Sequence, residues 1–124
     1  MNNTPLPHSD QVTINDQLAQ HLETLHSDLN LGKASRQCHM TVLFYAAVHW
    51  VEEQFQQKNT RHPSAIRHAK SVCTKYGPTK RPAIRAYLQL EHFSRQARYD
   101  GWIPTDQDLQ DAKNYLKHVK TDIV

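Results

Sequence analysis

The sequence is poor in residues that several common kinds of site require. Three glycines in 124 residues leave no Gly-rich loop of the sort that cradles phosphates. Two cysteines, Cys38 and Cys73, are too few for a disulfide scaffold or a four-cysteine zinc site. No apolar run approaches the roughly 18 residues of a membrane span, so the chain is not expected to enter a membrane. Met1 to Asp10 holds neither a basic nor an apolar targeting region, and the expected location is cytoplasmic. No stretch alternates apolar and polar residues as a half-buried strand would. A Gly-x-Ser-x-Gly nucleophile motif is missing too.

What the sequence does carry is helical periodicity. Residues 1–12 read as a disordered or extended tail, with Pro5 and Pro7 blocking helix. Thr13 and Asp16 suit an N-terminal cap. Leu18, Leu22, Leu25 and Leu29 then predict a first helix from Ile14 to Asn30, with Gly32 as its end signal. Phe44, Val48, Val51 and Phe55, beside Leu43, Ala47 and Trp50, give a wide apolar face to a second helix over Ala34 to Lys58. Pro63 makes a loop of Asn59 to Pro63. A third helix is predicted from Ser64 to Tyr76, with Cys73 on its inner face, ended by Gly77-Pro78. Pro82 opens a fourth, with Tyr87, Leu90, Phe93 and Ala97 inward and Gly101 closing it. Thr105 and Asp108 resemble a capping box ahead of a fifth helix with the stripe Leu109, Ala112, Leu116 and Val119. The expected fold is an all-α, antiparallel bundle of four to five helices, one domain over residues 13–120. Apolar surface left on so small a bundle would be covered by a homodimer.

The formal net charge of +3 hides an uneven distribution. Lys58 to Arg98 holds ten basic residues and a single acid, Glu91, for a net of +9. The remaining five basic and eleven acidic residues give −6. Clustered Lys and Arg without compensating acids are the footprint of a polyanionic partner, here RNA or a nucleotide.

Nine histidines invite a metal, but no two stand at the i, i+4 spacing of a helical zinc site. His21 and His26 fall on different helical faces, so no metal and no cofactor are expected. His49, between Val48 and Trp50, suits the core or a groove. Cys38 lacks a local activating pattern. Two pairs could supply the imidazole and guanidinium that metal-free RNA cleavage needs: Arg61 with His68, and Arg85 with His92.

Two segments resemble the HEPN family of helical nucleotide-binding domains. One is Phe44-Tyr45-Ala46-Ala47-Val48-His49-Trp50-Val51-Glu52, similar to that family's second helix. The other is Leu90-Glu91-His92-Phe93-Ser94-Arg95-Gln96-Ala97-Arg98-Tyr99-Asp100, similar to its fourth. The resemblance implies a small dimeric bundle that binds RNA or nucleotides. Its context would be toxin–antitoxin or phage defence, with an antitoxin or nucleotidyltransferase as a possible partner. It points to Tyr45, His49, Arg95, Arg98, Tyr99 and Asp100 as binding residues. Active members are ribonucleases with an Arg-x(4–6)-His motif near the fourth helix. Here the next histidine after Arg98 is His118, so Arg61/His68 and Arg85/His92 stand as the catalytic alternatives. A third reading is a non-catalytic interaction subunit, which would leave apolar surface exposed.

Overall fold

A computed structural model describes residues 7–57 and 81–124. Four α-helices make up all regular structure among the described residues: α1 (His8–Glu23), α2 (Gly32–Gln57), α3 (Arg81–Tyr99) and α4 (Asp106–Asp122). The predicted Ser64 to Tyr76 helix, with Cys73, Arg61 and His68, lies outside the described residues.

Contacts at the helix ends give the directions. Ser35 Oγ, early in α2, donates to the carbonyl of Leu22 at the end of α1. Gln37 Nε2 donates to the Trp102 carbonyl just past α3 at 3.2 Å. Arg36 pairs with Asp106 at the start of α4 at 2.7 Å, and Trp50 Nε1 donates to the Ile123 carbonyl past its end at 2.7 Å. Therefore α1 and α3 run antiparallel to α2, while α4 runs parallel to it. Among the described helices, each runs opposite to the one described before it.

The second helix is the hub, touching α1, α3 and α4. It buries Met40, Leu43, Phe44, Ala47, Val48 and Val51 against Tyr87 and Leu90 of α3 and against Leu109, Ala112, Leu116 and Val119 of α4. Among the described side chains, the stripes read from the sequence for α2, α3 and α4 are the buried ones, apart from Phe93 and Trp50, which are partly buried; the side chain of Phe55 lies outside the description. Thr105 and Asp108 form a reciprocal capping box: Thr105 Oγ1 accepts the Asp108 N–H at 3.1 Å, and the Asp108 carboxylate accepts the Thr105 N–H at 2.9 Å.

The first helix departs from expectation at both ends and in its rotation. It begins at His8, with Pro7 as its N-cap residue, so residues 8–12 are helix where the sequence suggested tail. Pro7 precedes the helix, where a missing N–H costs nothing. Thr13 is therefore inside α1, and its hydroxyl bonds the Ser9 carbonyl. The helix stops at Glu23, not Asn30. Its buried residues are Val12, Asn15 and Ala19, whereas Leu18 and Leu29 are exposed. Two ion pairs accompany the rotation. Asp16 meets Lys120 at 2.7 Å and Glu23 meets Lys113, both across to α4. Seven residues apart, the two acids lie on one edge of α1. Ile14, Leu18 and Leu22 lie on the opposite edge.

Gly32 is the first residue of α2, not a terminator. A Cβ there would stand 2.6 Å from the His26 carbonyl oxygen, so only glycine lets the 24–31 turn close on α2. Gly101 does end α3, in the left-handed region at φ 69°; the Asp100 and Trp102 N–H groups both return to the Gln96 carbonyl.

Candidate functional site

The outward face of α3 is built by its period. Arg85, His92 and Tyr99 recur at seven-residue intervals, with Leu88 and Arg95 between them, and all five are exposed. They fall within about a quarter turn of the helix. The opposite face, Ala83, Tyr87, Leu90, Ser94 and Ala97, is buried. Thus Arg85 and Arg95 share a stripe with His92 and Tyr99, and Arg98 stands at its edge. Arg85 and His92 are separated by two helical turns, about 10 Å of rise.

At the end of this stripe Arg98 is fixed on several sides. Its Nη1 donates to the Tyr45 hydroxyl at 3.1 Å, and its Nε to the Ser94 carbonyl at 3.4 Å. The guanidinium carbon lies 5.7 Å from the Tyr45 ring centroid and 5.0 Å from that of Tyr99. Both distances suit cation–π attraction. Tyr99 is 74% exposed, so one ring face remains open beside the cation. Three of the sequence-derived binding residues, Tyr45, Arg98 and Tyr99, thus form one cluster. Arg95 leans back along α3, its Nε 3.7 Å from Glu91. Asp100 is exposed at the α3 terminus. His49 sits one turn beyond Tyr45 on α2, with Nδ1 3.7 Å from the buried Glu52 carboxylate.

Behind Arg98 runs an apolar groove of about 550 Å³. Its walls are Leu18 and Leu22 of α1 and Ala97 and Arg98 of α3; Gln37, Cys38, Thr41 and Val42 of α2 form its floor. This is where the displaced leucine edge of α1 ends up. Cys38 is an exposed free thiol there.

A second cluster occupies the α1–α4 side. His39 Nδ1 lies 3.1 Å from His26 Nε2, with ring centroids 5.0 Å apart. The His39 side chain is wholly buried. Burial pushes its pKa down to about 4, helped by the neighbouring His26 and Lys113 and opposed by Glu23. Burial also lowers His26, with Arg36 acting in the same direction. The hydrogen bond from Lys113 holds the Glu23 carboxyl below its usual range. Both imidazoles are therefore neutral near pH 7, one donating to the other. Histidine spacing in the sequence relates His26 to His21 and does not reveal its contact with His39. A signal was available, since His39 precedes Leu43 by four residues and so belongs to the buried stripe. No group of three or more His, Cys, Asp or Glu side chains suited to a metal ion occurs among the described residues.

In comparisons with known proteins, no family model, curated protein or solved structure matches this chain.

Proposed function

We propose that this protein binds single-stranded RNA or nucleotides through the outward face of α3, as a HEPN-like helical protein of a toxin–antitoxin or phage-defence system. The observation that carries the reading is the Arg98 cluster, a guanidinium held by Tyr45 beside an open Tyr99 ring. Arginine supplies the phosphate contact, and a free aromatic face supplies the surface on which an unpaired base stacks. Arg85 and Arg95 extend the cationic stripe along the helix, with His92 between them. The +9 balance of residues 58–98 and the two HEPN-like segments support the same reading.

Fluorescence anisotropy with a labelled single-stranded RNA tests it. Affinity falls as salt rises, because phosphate contacts release counterions. Arg98→Ala lowers the salt slope by about one. Tyr99→Ala weakens binding by about 1–3 kcal/mol through lost stacking. Salt-independent binding, or affinity untouched by both substitutions, overturns the proposal.

A ribonuclease reading draws on one further observation, that Arg85 and His92 share an exposed stripe. It requires RNA cleavage in the presence of a chelator, lost in His92→Ala with helicity intact. Should His68→Ala abolish cleavage instead, the Arg61/His68 alternative takes its place.

A further inference from the structure

The groove between α1 and α3 is lined almost wholly by carbon, and its Gln37 and Thr41 side chains each make an internal hydrogen bond. Gln37 Nε2 donates to the Trp102 carbonyl, and Thr41 Oγ1 donates to the Gln37 carbonyl at 3.1 Å. Little polar surface remains in the lining to read the edge of a base or a sugar. The one charged side chain in the lining is Arg98. Its guanidinium is held by the Tyr45 hydroxyl and by the Ser94 carbonyl, each using one of its five N–H donors. The others are free for an anion, and the ordering of the side chain is already complete. A volume of about 550 Å³ lies within the range of small-molecule sites, which join an apolar enclosure to a few placed polar groups.

From this juxtaposition we infer that the groove is a binding site for a long-chain carboxylate, with the alkyl chain along Leu18, Leu22 and Val42 and the head on Arg98. The complementarity is of both kinds. Apolar walls remove the chain from water, and a fixed guanidinium meets a carboxylate with charge-assisted hydrogen bonds. Arg98 belongs also to the proposed RNA surface, so a bound carboxylate would occupy a donor that phosphate needs. The two ligands would compete.

Cys38 on the groove floor is the reporter. In a Cys73→Ser background its reaction with a thiol reagent is followed with and without dodecanoate, below the micellar concentration. Dodecanoate is expected to slow the reaction saturably, while dodecyltrimethylammonium, with the same chain and the opposite charge, does not. Arg98→Gln should weaken the protection by about tenfold. Leu18→Glu should abolish it; the site is 43% exposed, so the helical circular dichroism should stay unchanged. Equal protection by both amphiphiles overturns the inference, since the groove would then be an unselective apolar patch. So does Cys38 protection that grows with protein concentration alone, which would mark a second copy as the occupant. Protection by an acidic amphipathic peptide but not by dodecanoate overturns it in favour of a partner helix. RNA affinity is read separately: Leu18→Glu leaves Arg98 and Tyr99 in place. RNA binding that persists in Leu18→Glu separates failure of this inference from failure of the RNA reading.

Discussion

The two sides of α2 are finished in opposite ways. Toward α4 the bundle is closed by charge: Asp16 to Lys120, Glu23 to Lys113 and Arg36 to Asp106 bridge the helices. Beneath that layer Leu43, Leu116 and the buried His39 line a smaller cavity of about 310 Å³. Toward the gap between α1 and α3 the surface is apolar and open, with Leu18, Leu22 and Val42 bordering a groove. Charges cover the side that carries the core, while alkyl groups line the side that faces solvent. The difference teaches where the fold depends on packing and where it leaves side chains for other work. Residues of the closed side are committed to stability. Those of the open side can be changed with little loss of fold, which suits a binding surface.

Truncation at matched leucines is the sharpest way to break this contrast, and carries the largest expected effect. Leu116, 6% exposed, contacts α2 from the closed side. Leu116→Ala should cost about 2–5 kcal/mol, from lost burial plus the cavity left behind. The same change at Leu18, on the open side, should fall within about 0.5 kcal/mol. Urea unfolding midpoints of the two variants measure the difference. Equal losses would mean that the groove is part of the core.

Acid distinguishes the two sides next, because only the closed one holds the paired histidines. Four charged groups face the pair: Glu23 from α1, Arg36 from α2, and Lys113 and Asp106 from α4. In the folded protein His39 titrates at about 4, whereas an ordinary histidine titrates at 6.5. The unfolded chain therefore takes up protons that the native state refuses. Stability is fully present above pH 6.5 and declines as pH falls toward 4. His26, also lowered, adds to the same trend. Between pH 7 and 5 the loss should be on the order of 2 kcal/mol, and His39→Gln should flatten the profile. A profile that is flat in the unsubstituted protein would show that the imidazoles are not held neutral by burial.

Gly32 gives a smaller effect. At this first position of α2 alanine would gain only part of the roughly 1 kcal/mol that separates it from glycine in a helix interior, and its Cβ would meet the His26 carbonyl oxygen, a backbone atom that cannot swing aside. A net loss of about 1–2 kcal/mol is expected, along with a rise of the His26 pKa toward its ordinary value as the turn lifts from α2. Unfolding midpoints and histidine proton resonances would report both.

Much of the bundle was legible because α3 and α4 each present a dominant apolar stripe, which can be buried in only one rotation, while α2 is apolar around enough of its circumference to be packed on three sides. The first helix has two candidate faces. Its leucines form the more hydrophobic one, but the acids Asp16 and Glu23 have basic partners more than 80 residues away, and those pairings accompany the outward turn of the leucines. No local pattern contains that information. The Arg98 cluster was legible in its residue types, since arginine and tyrosines near the end of a helix suit phosphate and base. Its geometry depends on Tyr45, 53 residues distant. The His26–His39 contact spans a turn whose closure depends on a single glycine, and the spacing of histidines alone does not show it.

The smallest expected effect concerns the ion pairs themselves. Lys120 and Asp16 are partly exposed, and their 2.7 Å contact can be replaced by water at little cost. A double-mutant cycle with Asp16→Asn and Lys120→Met should give a coupling below about 1 kcal/mol, reduced further at high salt. Such a value would mean that the pair helps to set the rotation of α1 without holding the bundle together. A coupling above about 2 kcal/mol would instead make the charged layer the main lock. Leu18 and Leu22 would then turn inward when it is broken, and Cys38 reactivity would change with them. Measuring that reactivity in the Asp16→Asn, Lys120→Met variant decides whether the open groove is a consequence of the ion pairs or an independent property of α2 and α3.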